Sequence, residues 1–366
     1  MRALRRCRLG LALFVSAAVA CVCVSLPSPS AAAPAKLPEV LRHGSNLVAG
    51  GEQFRVWGFN YGIGHRYPIL SYFDRPTERR LNRVVADMRE ARALGANTLR
   101  VYLEIKAFMK GPEEPRRRAF AALAALLDKA EQLRLYLDLT GNLVWRAPPP
   151  WYDALPEQAR WAVQARFWGE VARTARSSPA VLVYELTSEP VVAESESWYG
   201  GEIDGLTFIH RIVREVDGRD PCELARRWIR LLTASIRAHD RRHLIGVGLL
   251  TLGGPFAGSN VADLLDVLLV HEYPEEGRAG DAIARVGDFA ASRKPVILGE
   301  TAPLLGTTET WRSFLKGSRH FVDGHLFFYD GRMPRDLGPT RRDAWYAGAL
   351  DEFQRLRGSL ESAGSV

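Results

Sequence analysis

Two short runs of this 366-residue chain carry a carboxylate one residue before their ends: "VLVYELTSEP" over 181–190 and "KPVILGET" over 294–301. Each is an apolar strand-like stretch that delivers a glutamate, Glu189 or Glu300, at its C-terminal end. Two glutamates held on opposite sides of a sugar ring meet the requirement for cleaving a glycosidic bond. One protonates the leaving oxygen, the other attacks or assists at the anomeric carbon, and a gap of about 5 Å favours the retaining route. Either glutamate alone reads equally well as a solvated residue at a strand end. The pair is what carries the chemistry.

Other polar residues sit at comparable positions. Arg100 in "NTLRVYL" is suited to hold Glu300 through a charge-assisted hydrogen bond, and Tyr273 in "DVLLVHEY" is suited to donate a second one. His271 alone would more often be a satisfied core histidine, but its place two residues before Tyr273 makes it a site candidate. Ser188, Asn142 and Tyr329 fall at or just beyond strand ends. Glu189 is expected against an apolar wall. Glu185, four residues before it on the same strand, is expected lower in the fold as a buried, paired carboxylate. Trp145, Trp151, Tyr152, Trp198 and Tyr199 lie in loops, where their rings could stack on sugar faces or pack the loops onto the rim. The chain has no CxxC or HExxH spacing, no GxSxG elbow and no phosphate-binding glycine loop, so no metal or cofactor is expected.

These residues need a frame that gathers strand ends. Eight apolar strand candidates run through the chain: 54–61, 97–103, 133–139, 181–186, 243–250, 266–273, 294–300 and 325–330. Helical stretches separate most of them: 77–94 with Thr77 as N-cap and Gly95 as stop, 115–132, 156–177 with Pro156 in its first turn, 222–240, 281–292 and 343–357. Such alternation implies parallel strands with helices outside, and eight units over this length favour a single (β/α)8 TIM barrel over an open sheet. In that fold the active site lies at the C-terminal strand ends, which places Glu189 and Glu300 opposite one another, three strands apart. Gly50-Gly51 suggests a hairpin turn before the first strand. The stretch 191–221 is a long insertion after strand four, expected to shape a cleft.

The start of the chain reads differently. Arg2, Arg5, Arg6 and Arg8 precede an apolar run from Leu9 to Val24 and then "SPSAAAPA", the layout of a secretory signal peptide over residues 1–33. A secreted or periplasmic protein is therefore expected, with the barrel over 36–358 and a short disordered tail over 359–366. Membrane attachment is expected only under the minority reading of lipidation at Cys21. Removing the signal takes four arginines, and no acid, from a formal net charge of +7. The remaining arginines alternate with acids as on solvated helix faces, so nucleic acid is not an expected partner. Cys222 is then the one cysteine left, which excludes an internal disulfide.

The motifs also carry a resemblance. "VLVYELTSEP" resembles the strand-four motif of glycoside hydrolase clan A, which typically ends Asn-Glu-Pro, and "KPVILGET" resembles the strand-seven nucleophile motif of glycoside hydrolase family 5, the cellulase-type family. "NTLRVYL", "HEY" and "IRAHDRRHLIGVG" resemble that family's strand-two arginine, strand-six His-x-Tyr and run into strand five. The similarity spans Phe54 to about Tyr329. It implies Glu189 as acid/base and Glu300 as nucleophile, with Arg100, His271 and Tyr273 in support. The sequence departs from the pattern at Ser188, where the family usually carries an asparagine, at Thr140, where many members place a histidine, and at "FFYDGR", which lacks a tryptophan. The resulting expectation is an exported retaining glycoside hydrolase, monomeric, acting on a β-linked glucan, mannan or related oligo- or polysaccharide. Its rival is a catalytically idle barrel that only binds glycan.

Overall fold

The computed structural model describes residues 36–61, 68–141, 148–192, 201–203, 206–208, 211–328 and 333–361. Its centre is a closed barrel of eight parallel strands. These are β1 (Val56–Tyr61), β2 (Thr98–Leu103), β3 (Tyr136–Gly141), β4 (Val181–Ser188), β5 (Leu244–Leu250), β6 (Leu268–His271), β7 (Val296–Thr301) and β8 (Gly324–Phe327). They lie in chain order around the ring, with β8 pairing back onto β1. The strands are buried on both faces, which is why they read as continuous apolar runs.

Among the described residues each strand is followed by a principal helix, α1 (Glu78–Ala93), α2 (Arg117–Leu133), α3 (Glu157–Ala175), α4 (Pro221–Arg237), α5 (Gly258–Val261), α6 (Ala279–Ala290), α7 (Thr308–Ser318) and α8 (Arg341–Glu361), with shorter helices at Pro68–Asp74, Ile105–Phe108 and Pro150–Asp153. Local chemistry sets their starts. Thr77 caps α1 by accepting from the Arg80 amide at 3.3 Å, and Asp220 caps α4 by accepting from the Cys222 amide at 2.9 Å, with Pro221 in the first turn. Pro156 is the N-cap of α3 and not a first-turn residue as expected from sequence. Helix α7 is absent from the sequence reading, although its cap is a legible one, with Thr307 accepting from the Thr310 amide. Helix α8 runs to Glu361, into the stretch expected as a tail. Among the described residues no helix is long and apolar enough to cross a membrane.

A three-stranded antiparallel sheet precedes β1, formed by Val40–His43, Asn46–Ala49 and Glu52–Gln53. Its second turn is the Gly50-Gly51 pair, both at positive φ (61° and 89°), a conformation that side chains resist. The sheet buries Val40 and Leu47, and it bonds to residues at the N-terminal strand ends. The Tyr136 hydroxyl donates to Pro38 O at 2.6 Å and the Leu47 amide to Asp323 Oδ1 at 3.4 Å. It therefore plugs the end of the barrel opposite Glu189 and Glu300.

Helix α8 closes the ring through one side chain. The ring of Phe353 stacks on Trp57 with centroids 3.9 Å apart and planes 7° from parallel, and it also meets Phe59, Trp311 and Phe327. Phe353 is fully buried, so truncation leaves a cavity among four aromatic rings. Phe353→Ala is expected to lower the unfolding free energy by about 3–5 kcal/mol in urea denaturation, and Phe353→Leu by clearly less. Equal losses for the two variants would mean that ring stacking, and not volume, docks α8.

Candidate active site

The site is built from the floor upward. Strand alternation sends Thr98, Arg100 and Tyr102 of β2 to the barrel interior, where Arg100 has no solvent exposure. Its Nε and Nη2 donate to Glu185 Oε2 and Oε1 at 2.7 and 2.5 Å, a bidentate pair. Nη1 donates to Asn60 Oδ1 at 2.8 Å, to the Tyr102 hydroxyl at 2.7 Å and to Glu300 Oε1. Asn60 Nδ2 in turn donates to Gly299 O and Phe327 O, tying β1 to β7 and β8. The Thr140 hydroxyl donates to Glu185 Oε2 at 2.9 Å. Asp138 lies beside this pair, 3.9 Å from Arg100 Nε. Burial first, and then the Glu185 charge, push its carboxyl well above the usual range against the pull of Arg100.

Above that floor sits the expected pair. Glu300 is 5% exposed and both of its oxygens are engaged, Oε1 by Arg100 with the Ser188 hydroxyl 3.5 Å away, and Oε2 by the Tyr273 hydroxyl at 2.6 Å. Burial, then the Glu300 charge, raise the Tyr273 phenol well above its ordinary value, so it stays a donor. Glu189 faces His271 and not an apolar wall, with Oε1 2.8 Å from His271 Nδ1 and about a fifth of its side chain exposed. One donor atom from each of Glu189, His271 and Glu300 lies within 4.8 Å of the other two.

Two β-bulges aim these carboxylates. Between Glu185 and Ser188, β4 takes three steps while its neighbour takes two, from Gly246 to Gly248. From Leu298 to Glu300, β7 takes two steps against one on β6, and from Leu298 to Thr301 three against two on β8. An added residue re-directs the side chains beyond it. Glu189 follows with φ 49°, a left-handed conformation unusual for glutamate, pinned by its amide donating to Gly248 O at 2.8 Å. Glycine-rich β5 has a local reason too. A side chain at Gly248 would run into Glu185 Oε1 and approach the His271 ring to 3.0 Å, and one at Gly299 would come within 3.2 Å of the same ring.

The structure thus brings together Arg100, Ser188, Glu189, His271, Tyr273 and Glu300. Asn142, Trp145, Trp198, Tyr199 and Tyr329 lie outside the described residues. Of the insertion, Gly201–Ile203 and Leu206–Phe208 form a small hairpin, and the chain returns where Trp161 Nε1 donates to Ile212 O. Tyr152 is buried and accepts from Gln164, so it packs the rim. Tyr61, read from sequence as a strand-end residue, turns outward to Asp87 of α1 at 2.5 Å. Sequence reasoning places Asn60 at a strand end without giving it a role, and leaves Tyr102 and Asp138 out of the site. Tyr102 was within reach, because a period of two from Arg100 puts it on the same face. Phe328, half-buried, sets its ring edge-on to Tyr273 at 5.8 Å, at the strand end where no tryptophan occurs. The oxygens of Glu189 and Glu300 with His271 Nδ1 are also donors that could hold a cation. On Glu300, such an ion would share the carboxylate with the Arg100 guanidinium and the Tyr273 phenol.

No protein-family model matches the sequence, and no curated protein matches it. Solved structures do match. The exo-β-1,4-mannosidase Op5Man5 from Opitutaceae bacterium strain TAV5 is 19% identical with a TM-score of 0.63 over 88% of this chain, and the chain spans 63% of that protein's length. A GH5_18 protein from Streptomyces cattleya, solved with GlcNAc, is 17% identical with a TM-score of 0.60, covering 86% of this chain and 82% of that one. The endo-1,4-β-mannanase from Rhizomucor miehei is 13% identical with a TM-score of 0.58, covering 87% and 99%. At these identities the likeness establishes the shared barrel.

Arg100→Met removes the guanidinium from among Asp138, Glu185 and Glu300. Breaking a buried pair in this way costs about 3–5 kcal/mol near neutral pH. The pH dependence has a definite sign. Asp138 is already raised by burial and by Glu185 against the pull of Arg100; losing that pull raises it further, and a raised carboxyl contributes stability that is present at low pH and lost as pH rises through that value. The deficit relative to wild type in urea titrations should therefore shrink between pH 7.5 and pH 5. A deficit that grows on acidification would contradict this picture.

Proposed function

We propose that this protein is a retaining glycoside hydrolase acting on a β-linked glycan. The observation that carries the reading is the approach of the Glu189 and Glu300 carboxylates to within 4.8 Å across the barrel mouth, near the spacing of about 5–5.5 Å used in double displacement. Glu300 attacks the anomeric carbon, its two oxygens held by Arg100 and Tyr273. Glu189 gives a proton to the departing oxygen and then takes one from the water that releases the sugar. His271 orients Glu189. Arg100 is held in turn by Glu185, so the nucleophile has little freedom to swing.

The substrate class follows the same support. The matching structures bear the names of β-1,4-mannosidases and mannanases, which favours β-mannosides and β-1,4-mannan oligosaccharides as the first substrates to try. Ser188 keeps a hydroxyl beside the nucleophile and so can offer one hydrogen bond to a sugar hydroxyl. Residues 1–33, read as a secretory signal, would put the enzyme outside the cytoplasm. N-terminal sequencing of the exported protein should then begin near Ala33, whereas a chain starting at a lipidated Cys21 would indicate membrane attachment.

Purified mature protein is expected to release product from aryl β-glycosides or from mannan and glucan polymers. Glu300→Ala and Glu189→Ala should each lower turnover by about a thousandfold or more. Azide should restore turnover of Glu300→Ala and give a glycosyl azide of inverted configuration. Near-normal activity in either variant removes the assignment, and binding of polymer without any release makes the barrel a glycan-binding protein instead. Ser188→Asn should preserve or raise kcat; a collapse would give the serine a role of its own.

A further inference from the structure

The end of the barrel opposite the carboxylates carries a second feature. A pocket of about 410 Å³ opens between the N-terminal sheet and the segments entering β1, β7 and β8. That volume is within the range of small-ligand sites, on a barrel face that ordinarily serves stability. Arg55, Lys294, Arg319 and His320 line it, and Arg42 lies close enough to add to burial in depressing the Lys294 ammonium.

What these cations share is their partners. Many arginines of this protein meet carboxylates, as Arg219 does Glu157, Arg226 does Asp263, Arg285 does Glu272 and Arg312 does Glu352, while others, such as Arg80, Arg92 and Arg116, donate to backbone carbonyls. Here Arg42 donates to Gly44 O at 2.8 Å, Arg55 to Arg319 O at 2.9 Å, Lys294 to Leu265 O at 2.6 Å and Arg319 to Lys316 O. None of the four forms an ion pair among the described residues. The acid that lines the pocket, Asp323, is buried, and its oxygens accept from the amides of Leu47 and Val296. Burial pushes its carboxyl up to about 6, against the pull of those two amides and of the Arg55 charge. Ser45, Asn46 and Gln53 add neutral hydrogen-bonding groups to the wall.

We propose that this pocket binds a phosphate- or sulfate-bearing ligand, held by Arg55, Lys294, Arg319 and His320. A carboxylate offers two oxygens in one plane and is satisfied by a single guanidinium fork. Several cations converging from different chain segments on one volume suit a tetrahedral oxyanion with three or more terminal oxygens and more than one charge. The polar wall could meet the hydroxyls of a sugar or polyol that carries the group. The proposal does not rest on the reading of Glu189 and Glu300.

The test is calorimetric titration of the whole mature protein with inorganic phosphate, glycerol phosphate and a polyglycerol phosphate chain. Each is run against sodium chloride at matched ionic strength and against polygalacturonate as a carboxylate polymer. At least one phosphate probe should bind in excess of the salt control. The Arg55→Gln/Arg319→Gln protein should bind it at least about tenfold more weakly, and the ion-paired Arg226→Gln control should not. Arg319→Gln/His320→Gln, confined to half-buried and exposed side chains, gives the same readout should the Arg55 variant unfold. Tightest binding by a small phosphate identifies a free anion as the source, and tightest binding by the chain identifies a polymer. No phosphate binding, equal loss in Arg226→Gln, or equal affinity for polygalacturonate overturns the proposal.

Discussion

One buried guanidinium organises this molecule. Arg100 lies without solvent contact among Glu185, Asp138 and Glu300, and taking any of these groups out of water is expensive unless geometry and hydrogen bonding are nearly ideal. The pair with Glu185 uses the planar fork that only arginine has, and the remaining nitrogen is shared among Asn60, Tyr102 and Glu300. Every ligand comes from a different strand or from the next inward position of the same one. The cost of burial thus becomes a constraint on register, because β1, β2, β4 and β7 must agree for the charges to balance. A carboxylate at the mouth inherits that constraint through a single hydrogen bond.

Much of the fold was legible because its physics is periodic. Two-sided burial makes each parallel strand a run of apolar residues, and a cap such as Thr77 marks a helix start with local chemistry. The missed helix α7 shows the limit of reading by pattern weight. Its Thr307 cap was present, but the short segment stood between two stronger strands. At the candidate site, Glu189, Glu300, Arg100, His271 and Tyr273 could be grouped from sequence because strand ends converge in a barrel. Asp138 was missed for a different reason. It acts inside the barrel, where a polar residue in an apolar run gives no hint of which charge it will meet. Its partners Arg100 and Glu185 stand on other strands, well separated in sequence, and only closure of the ring brings them together.

The mouth depends on backbone features with little trace in composition. Glu189 is held at positive φ by the Gly248 carbonyl, and glycines at 248 and 299 leave room for the His271 ring. A strained residue between two fixed neighbours has few alternative poses. The arrangement therefore supplies orientation before any ligand arrives, which is where a site of two carboxylates gains most.

The extra residue in β4 has a consequence for comparing and recombining such barrels. Below it, the odd-numbered position Glu185 faces the interior; above it, the even-numbered Ser188 does. In β7 the adjacent positions Gly299 and Glu300 both address the interior. Each of these strands changes parity within its own length, so an alignment that is correct at the floor can be wrong by one side chain at the rim. A strand transplanted from another barrel would keep its carboxylate pointing the right way only if the junction fell below the change of parity and carried the whole upper frame with it.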